Sequence, residues 1–555
     1  MGQRAAQGDL FRADHMHLDF VGAESFYGWL ATEGTRLFTD EDFSEFYTLD
    51  NGRPSTPPSQ LLTMLLLQGH DRVSDREAIR RSRFDLCWKV ALGLCDHEGL
   101  CVRSTLQKFR AMLNLSEKGR WILKRSVEAC RQTGVLKDKA AEVAIDTTPI
   151  WGRGAVKDTY NLVADGITLL LRALAELHDS TLHEVAREHG FERFVDGTSL
   201  KGEADIDWAD EEARNGFLNG LVADGRRALE LADEAAAGDD SVERASGLLK
   251  RLIQQDTEEE EATGEVELKR GVARDRIPSA HDPEQRHGRK SKRNCFVGHK
   301  GEIVVETESG TILDASVKPG NANDAEGSLA AVERAEESLK EALGDDAEIV
   351  RTAGDCAYGT ASNRRDFADA DRELDAKQPR LRNGGRFTKE QFPVDPATGE
   401  RVCPAGHRAA PKRRRRRWRG ERVEVKHYRW PLATCESCPL RDQCMKPKPP
   451  DAKPRRHGRT VSEHPEERLL AAAREQVRSP EFRQRYRRRT TVEHSLARMV
   501  QLGARQARYI GRMKTEFQWQ LTAAIANLTK AAAALVAWLT VLLWIENQER
   551  AVRAA

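Results

Sequence analysis

At 555 residues the chain is too long for one ordinary core, which implies two to four domains. Charged residues make up 32% and hydrophobic residues 39%, with a formal net charge of +1, a soluble globular profile that excludes a chain built around membrane spans. The near-zero balance hides segregation: residues 401–520 carry 32 Lys/Arg against 12 Asp/Glu, a polyanion-binding composition, while Asp256–Glu267 is almost purely acidic.

The N-terminus lacks the charged-then-apolar pattern of a secretory signal, which predicts an intracellular protein. Its ten cysteines are then expected to be reduced or metal-bound rather than paired. Residues 1–50 show no clear periodicity and read as an irregular lead-in. Pro57-Pro58 before Leu61–Leu67 predict a helix entered through proline. Ser74-Asp75-Arg76-Glu77 is a capping-box pattern opening a basic helix Asp75–Arg83, and Ser104-Thr105-Leu106-Gln107 opens another that carries Lys108 and Arg110. Such helices suit equally a helix-turn-helix-like DNA reader and a bundle with solvated charges.

Glu142–Ile150 changes to strand texture and places Asp146 near the end of a short buried strand. Leu169 to about Arg251 reads as a helical insertion ending in the acidic run. Strands return at Cys295–His299, Ile303–Glu306 and Ile312–Val317, with turns at Lys300-Gly301 and Ser309-Gly310, and a helix covers Ala325–Leu343. The segment Glu348–Gly354 is a strand that breaks at Asp355, flanked by Gly354 and Gly359, a second strand-end carboxylate. Leu374–Lys377 is one more short strand.

Beyond it the chain turns loop-like and basic, with the run Lys412–Arg417 before Trp418. Consecutive cations repel unless a polyanion neutralises them, and Trp418 would stack on a base or lie on a neighbouring surface. The stretch Tyr486–Met499 is a basic helix opening whose one acid is Glu493; Leu496, Ala497 and Val500 share its face. Ala531–Ile545 is apolar but shorter than a bilayer span and reads as a packed helix.

Two constellations carry chemistry. Cys403, Cys435, Cys438 and Cys444 form a thiol set of the kind that binds structural zinc, with His407 competing for one place; the remaining cysteines read as small core residues. Asp146, Asp355 and Glu493 are three carboxylates able to meet at one sheet edge, hard ligands that suit Mg2+ or Mn2+ and a substrate phosphate.

Local words carry a family resemblance. Asp146–Ile150 with Gly152–Leu162, then Gly298-His299-Lys300, Val317–Asp324 and Gly354–Gly359, resemble the blocks of bacterial insertion-sequence transposases of the DDE type. Tyr486, Arg489 and Glu493 match a Tyr-Arg-Glu-Lys signature whose lysine place falls here on Val500, leaving Arg498 or Arg505 as the substitute cation. The helical N-terminus and the cysteine cluster also look like parts of such enzymes.

The resemblance implies an α/β fold with an RNase H-like mixed sheet and flanking helices. It implies an N-terminal helical DNA-binding domain over 1–135 and a catalytic domain over 140–545, interrupted by a helical acidic insertion at 165–265 and a basic cysteine-rich zinc insertion at 380–460. It further implies metal-dependent cleavage and strand transfer on double-stranded DNA by a homodimer in the bacterial cytoplasm, associated with the nucleoid. Asp146, Asp355 and Glu493 would be the catalytic magnesium ligands. Tyr486 and Arg489 would grip phosphate, with Arg153, Lys157 and Lys300 as weaker contacts. Competing expectations are an inactive transposase-derived DNA-binding regulator and a nuclease without strand transfer.

Overall fold

The computed structural model describes the chain except residues 5–10, 48–53, 198, 236–237, 261–263, 292, 379–380, 448–452, 454 and 555; over 536–554 it describes the helical backbone alone. Part of the acidic run and residues 536–545 of the apolar stretch Ala531–Ile545 thus lie outside the described residues or side chains.

A six-stranded mixed sheet organises the fold. Its strands are β1 (Ala140–Trp151), β2 (Arg286–Arg289), β3 (Cys295–Glu306), β4 (Ile312–Pro319), β5 (Glu348–Gly354) and β6 (Leu374–Ala376). β3 pairs antiparallel with β1 on one side and with β2 and then β4 on the other; β1, β5 and β6 run parallel. β1 is therefore the strand at which the sheet changes from antiparallel to parallel.

Asp146 does not end a short strand, as its local pattern predicts. β1 continues to Trp151 because its antiparallel pairing with β3 persists to Trp151↔Gly298, whereas its parallel pairing with β5 stops at Ala144↔Ala353. The acid stands where one neighbour leaves, so an edge opens within a long strand.

Nor is Lys300-Gly301 a turn. β3 runs straight through it, and a Cβ on Gly301 would come within 2.5 Å of the Trp519 ring. That glycine admits a bulky neighbour from far along the chain. The reversal comes at residues 307–310, before β4.

Residues 13–46 form short helices, not an irregular lead-in. Their order comes from buried anchors, among them Trp29, Leu30, Phe38 and Phe43, rather than from a long periodic stripe. Pro58–His70 is helical and almost wholly buried. Asp75–Phe84 begins as predicted, with the Ser74 hydroxyl accepting from the Glu77 amide, although Glu77 itself turns to Arg80 and Arg81. The helix Arg103–Leu115 starts before Ser104 and has no side-chain cap. Arg110 on it is buried against Asp75 and Gln68, so it braces two helices instead of presenting charge.

These N-terminal helices share one apolar cluster with the sheet and with the start of the last helix, Arg512–Ala554. Fully buried Asn527 knits them: its amide NH2 donates to Ser126 Oγ and the Ile312 carbonyl, and its Oδ1 accepts from the Ile312 amide. Among the described residues no helix is long and apolar enough to cross a membrane.

The helical insertion, chiefly Thr159–Leu177, Glu211–Ala235 and Asp240–Asp256, has its own core around Ile167, Leu171, Leu221 and Leu249. The basic run is not a loop. It forms β7 (Pro411–Trp418), which pairs with β8 (Glu421–Arg429), itself paired with β9 (Thr460–Ser462). Its arginines lie exposed on both faces, so alternation gives no signal, and Trp418 lies edge-on to His464 with centroids 4.4 Å apart.

Candidate active site

The parallel register that sets Ala144 beside Ala353 brings Asp146 and Asp355 to the same opening two residues later. Asp355 follows the last residue of β5, and its carboxylate accepts from the Ala357 amide at 2.7 Å, which fixes the turn after the strand. Gly354 permits that turn, since a Cβ there would meet the Tyr358 side chain at 2.7 Å.

Asp146, Asp355 and Glu493 all line one cleft of about 750 Å³. Asp324, Lys300, Arg489 and Arg505 line it too, with Arg289 and Lys290 at its exposed rim. Burial pushes the Asp146 carboxyl up to about 6; repulsion from Asp355 and Asp324 adds to this, while the Thr147 amide and Arg489 oppose it. A carboxylate crowded by others in a half-dry cleft is short of positive charge.

Glu493 reaches the cleft from the helix Thr490–Gln501. Its face straddles core and opening, with Leu496 buried in the main core cluster and Ala497 open to the cleft. Val492, Ser495, Leu496 and Met499 are buried, whereas Glu493 and Ala497 are exposed and, with Val500, border the cleft. Arg489, one turn earlier, joins the acids: its guanidinium is ion-paired to Glu493 and lies 3.5 Å from Asp146.

The other sequence candidates are distributed unevenly. The Tyr486 hydroxyl donates to the Gly354 carbonyl at 2.9 Å, holding the end of β5, and its ring stacks on Phe482. Lys300 is engaged by Asp324 at 2.7 Å and by the Ala322 carbonyl. Lys157 pairs with Asp165, away from the cleft, and exposed Arg153 lines a separate groove with Arg72 and Arg508. Of the two cations offered for the missing lysine, Arg505 lines the cleft, with its guanidinium 3.5 Å from the Thr148 hydroxyl, and Arg498 does not.

Asp324 is the residue that sequence reasoning passed over. Its carboxylate accepts from Lys300 and from the Thr147 hydroxyl at 2.9 Å, beside Asp146. The signal was its position closing Val317–Asp324, a word read only for resemblance.

Cys403, Cys435, Cys438 and Cys444 line one small cavity with His407. Burial pushes the Cys444 thiol up, and Cys435, Cys403 and Cys438 add to it against Arg459. The Cys435 sulfur accepts from the Arg459 amide at 3.3 Å. The cysteines form no disulfide among the described residues. Of the six read as core residues, Cys95 and Cys130 are buried, but Cys295 and Cys356 are exposed. Among the described residues no group of three or more His, Cys, Asp or Glu side chains is placed to hold a metal ion, so the expected zinc insertion is not supported; the segment forms a basic hairpin sheet beside clustered thiols.

Residues 402–532 match the family model of the transposase DDE domain, and residues 33–112 match that of the transposase domain DUF772. The first stretch includes Arg489, Glu493 and Arg505, while Asp146 and Asp355 lie outside both. A comparison with curated proteins finds no match. Both matched stretches are similar to transposase domains.

Proposed function

We propose that the protein binds the ends of an insertion sequence and catalyses metal-dependent DNA cleavage and strand transfer from an RNase H-like core. The observation that carries this reading is the meeting of Asp146 and Asp355, from adjacent parallel strands, in a cleft rimmed by cations. Hydrolysis would place water's oxygen on phosphorus and release a 3′-hydroxyl; in strand transfer that hydroxyl would attack a target phosphodiester and displace its 3′-oxygen. No covalent protein intermediate is needed.

What supports a hard divalent cation here is the chemistry of the donors, carboxylate oxygens sharing one cleft, with Asp146 buried and repelled by Asp355 and Asp324. Asp146 and Asp355 would hold Mg2+ or Mn2+, with Glu493 as the third ligand once Arg489 turns to substrate. Such a cation supplies charge neutralisation on the phosphate and a more acidic bound water. Arg489 and Arg505 would hold phosphate oxygens, and Lys300 would order Asp324. Tyr486 would brace Asp355 through Gly354 and offer its edge to the DNA backbone.

Next to the cleft, and sharing Arg489 with it, runs a groove lined by Lys377, Arg382, Arg478, Arg483 and Arg487, which suits duplex DNA approaching the cut. The helical N-terminal 135 residues, with Arg153 and Arg508 at their border, would contact the element ends. Two copies pairing two ends, in the bacterial cytoplasm on the nucleoid, complete the reading. Thiols of Cys403, Cys435, Cys438 and Cys444 suit structural zinc, which would staple the segment 380–460.

Supercoiled and short duplex substrates bearing the element ends, incubated with Mg2+, test the function. Joined product supports it. Cleavage without joining would identify a nuclease, and sequence-specific binding without either would identify a regulator. Glu493→Gln should abolish cleavage while leaving DNA binding nearly intact; loss of both would make Glu493 structural.

A further inference from the structure

Behind the cleft lies a buried charge that phosphate chemistry does not require. Glu302 stands on β3 directly across from Thr147 of β1 and is 1% exposed. Its Oε1 accepts from Lys318 on β4 and from the Tyr358 hydroxyl at 3.2 Å, while its buried Oε2 has no hydrogen-bond partner. Burial pushes this carboxyl up to about 7 against the pull of Lys318. A buried ion pair of this kind is a poor source of stability, so its use is better sought in what it fixes.

Each partner leads to a cleft carboxylate. Lys318 Nζ also donates to the Asp324 carbonyl at 3.0 Å. Fully buried Tyr358 closes the turn that begins at Asp355, its amide donating to the Asp355 carbonyl at 3.3 Å. Thr147, opposite Glu302, holds the Asp324 side chain. Left to themselves, the carboxylates at the cleft would drift apart by mutual repulsion.

We propose that Glu302 is a positioning residue of this cleft: through Lys318 and Tyr358 it ties the segments bearing Asp324 and Asp355 to the strand pair bearing Asp146. One residue thereby sets the separations of three carboxylates. This assignment rests on the reading of the cleft as the reactive site, and its test separates the two.

Amide hydrogen exchange on the full chain provides the first arm. Tyr358→Phe should lower protection about tenfold at residues 357–359, the loss expected for one hydrogen bond to a buried charge, and leave residues 325–326 unchanged. Lys318→Met should do the reverse, and Glu302→Ala should loosen both. Uniform loosening of the sheet, or no local change in either single-arm variant, would overturn the proposal. The single-arm variants decide it even where Glu302→Ala does not fold.

Calorimetric Mn2+ binding provides the second arm. Tyr358→Phe should weaken Mn2+ binding about tenfold with the melting temperature of the rest of the fold retained. Unchanged affinity alongside a loosened turn would count against Glu302 as a positioning residue. Wild-type protein that neither binds Mn2+ nor cuts DNA would refute the proposed function instead, and the exchange pattern would still decide the role of Glu302.

Discussion

The guanidinium of Arg489 lies 3.5 Å from the carboxylate of Asp146, reaching from the helical turn Arg487–Arg489 near the start of the signature stretch to the strand where the sheet opens. The same guanidinium is ion-paired to Glu493, so one cation links two acids assigned to the metal. Arg489→Lys keeps a charge but loses the planar fork that spans both. Cleavage on pre-bound ends should fall about a hundredfold, as for removal of one preorganised donor at a developing charge. Affinity for DNA should change far less. Parallel losses in the two measurements would reduce Arg489 to a general backbone contact.

Asp146 offers a prediction in stability. Its folded-state value of about 6 lies above the ordinary 3.8, so between those values the folded chain binds more protons than the unfolded one. Stability therefore falls as pH rises through that window, and above pH 6 the folded state carries the full cost of the buried charge. Asp146→Asn should stabilise the protein at pH 7.5 by on the order of 2 to 3 kcal/mol, a figure net of the Arg489 attraction, with the gain vanishing near pH 4. Thermal melting across pH checks this. Added Mg2+ should raise the melting temperature of wild type more than that of Asp146→Asn.

Arg505 and Arg498 make a matched pair. The first lines the cleft and the second does not. Arg505→Ala should reduce the salt dependence of end binding by about one counterion, whereas Arg498→Ala should leave it unchanged. Identical slopes for both variants would remove Arg505 from the phosphate path.

The cysteine cluster is checked by metal content. Cys435→Ser with Cys438→Ser should release zinc from purified protein and lower its melting temperature, because a thiolate site contributes folding energy to a small, loop-rich unit. Metal content equal to that of wild type would defeat the zinc assignment and leave Cys403, Cys435 and Cys444 as thiols packed beside Phe392 and Trp430.

Residues that end an apolar run were the most legible. Asp146 and Asp355 stand out because the apolar-to-acid change is local, and their pairing needs only strand register. Long-range compensation was not legible. Gly301 read as a turn because the ring it accommodates, Trp519, lies 218 positions away in the chain. Arg110 read as a surface charge because its partner Asp75 sits on another helix, 35 residues earlier. The run Lys412–Arg417 read as loop because a hairpin exposed on both faces has no alternation to betray it. Asp324 was missed although it closes the word Val317–Asp324, and Glu302 because its partners Lys318 and Tyr358 lie 16 and 56 residues away.

Asn527 has a consequence for synthesis. It joins the helix Lys118–Gln132 to β4 from a position near the far end of the chain, and Phe517, Trp519, Ile525 and Leu528 fill the same core. A nascent chain grows from its N-terminus at roughly 5–20 residues per second, so those early helices wait on the ribosome for a last partner. Until it emerges the apolar faces that pack on it remain uncovered. A message truncated before residue 512 would then yield an aggregating fragment rather than a free-standing DNA-binding head.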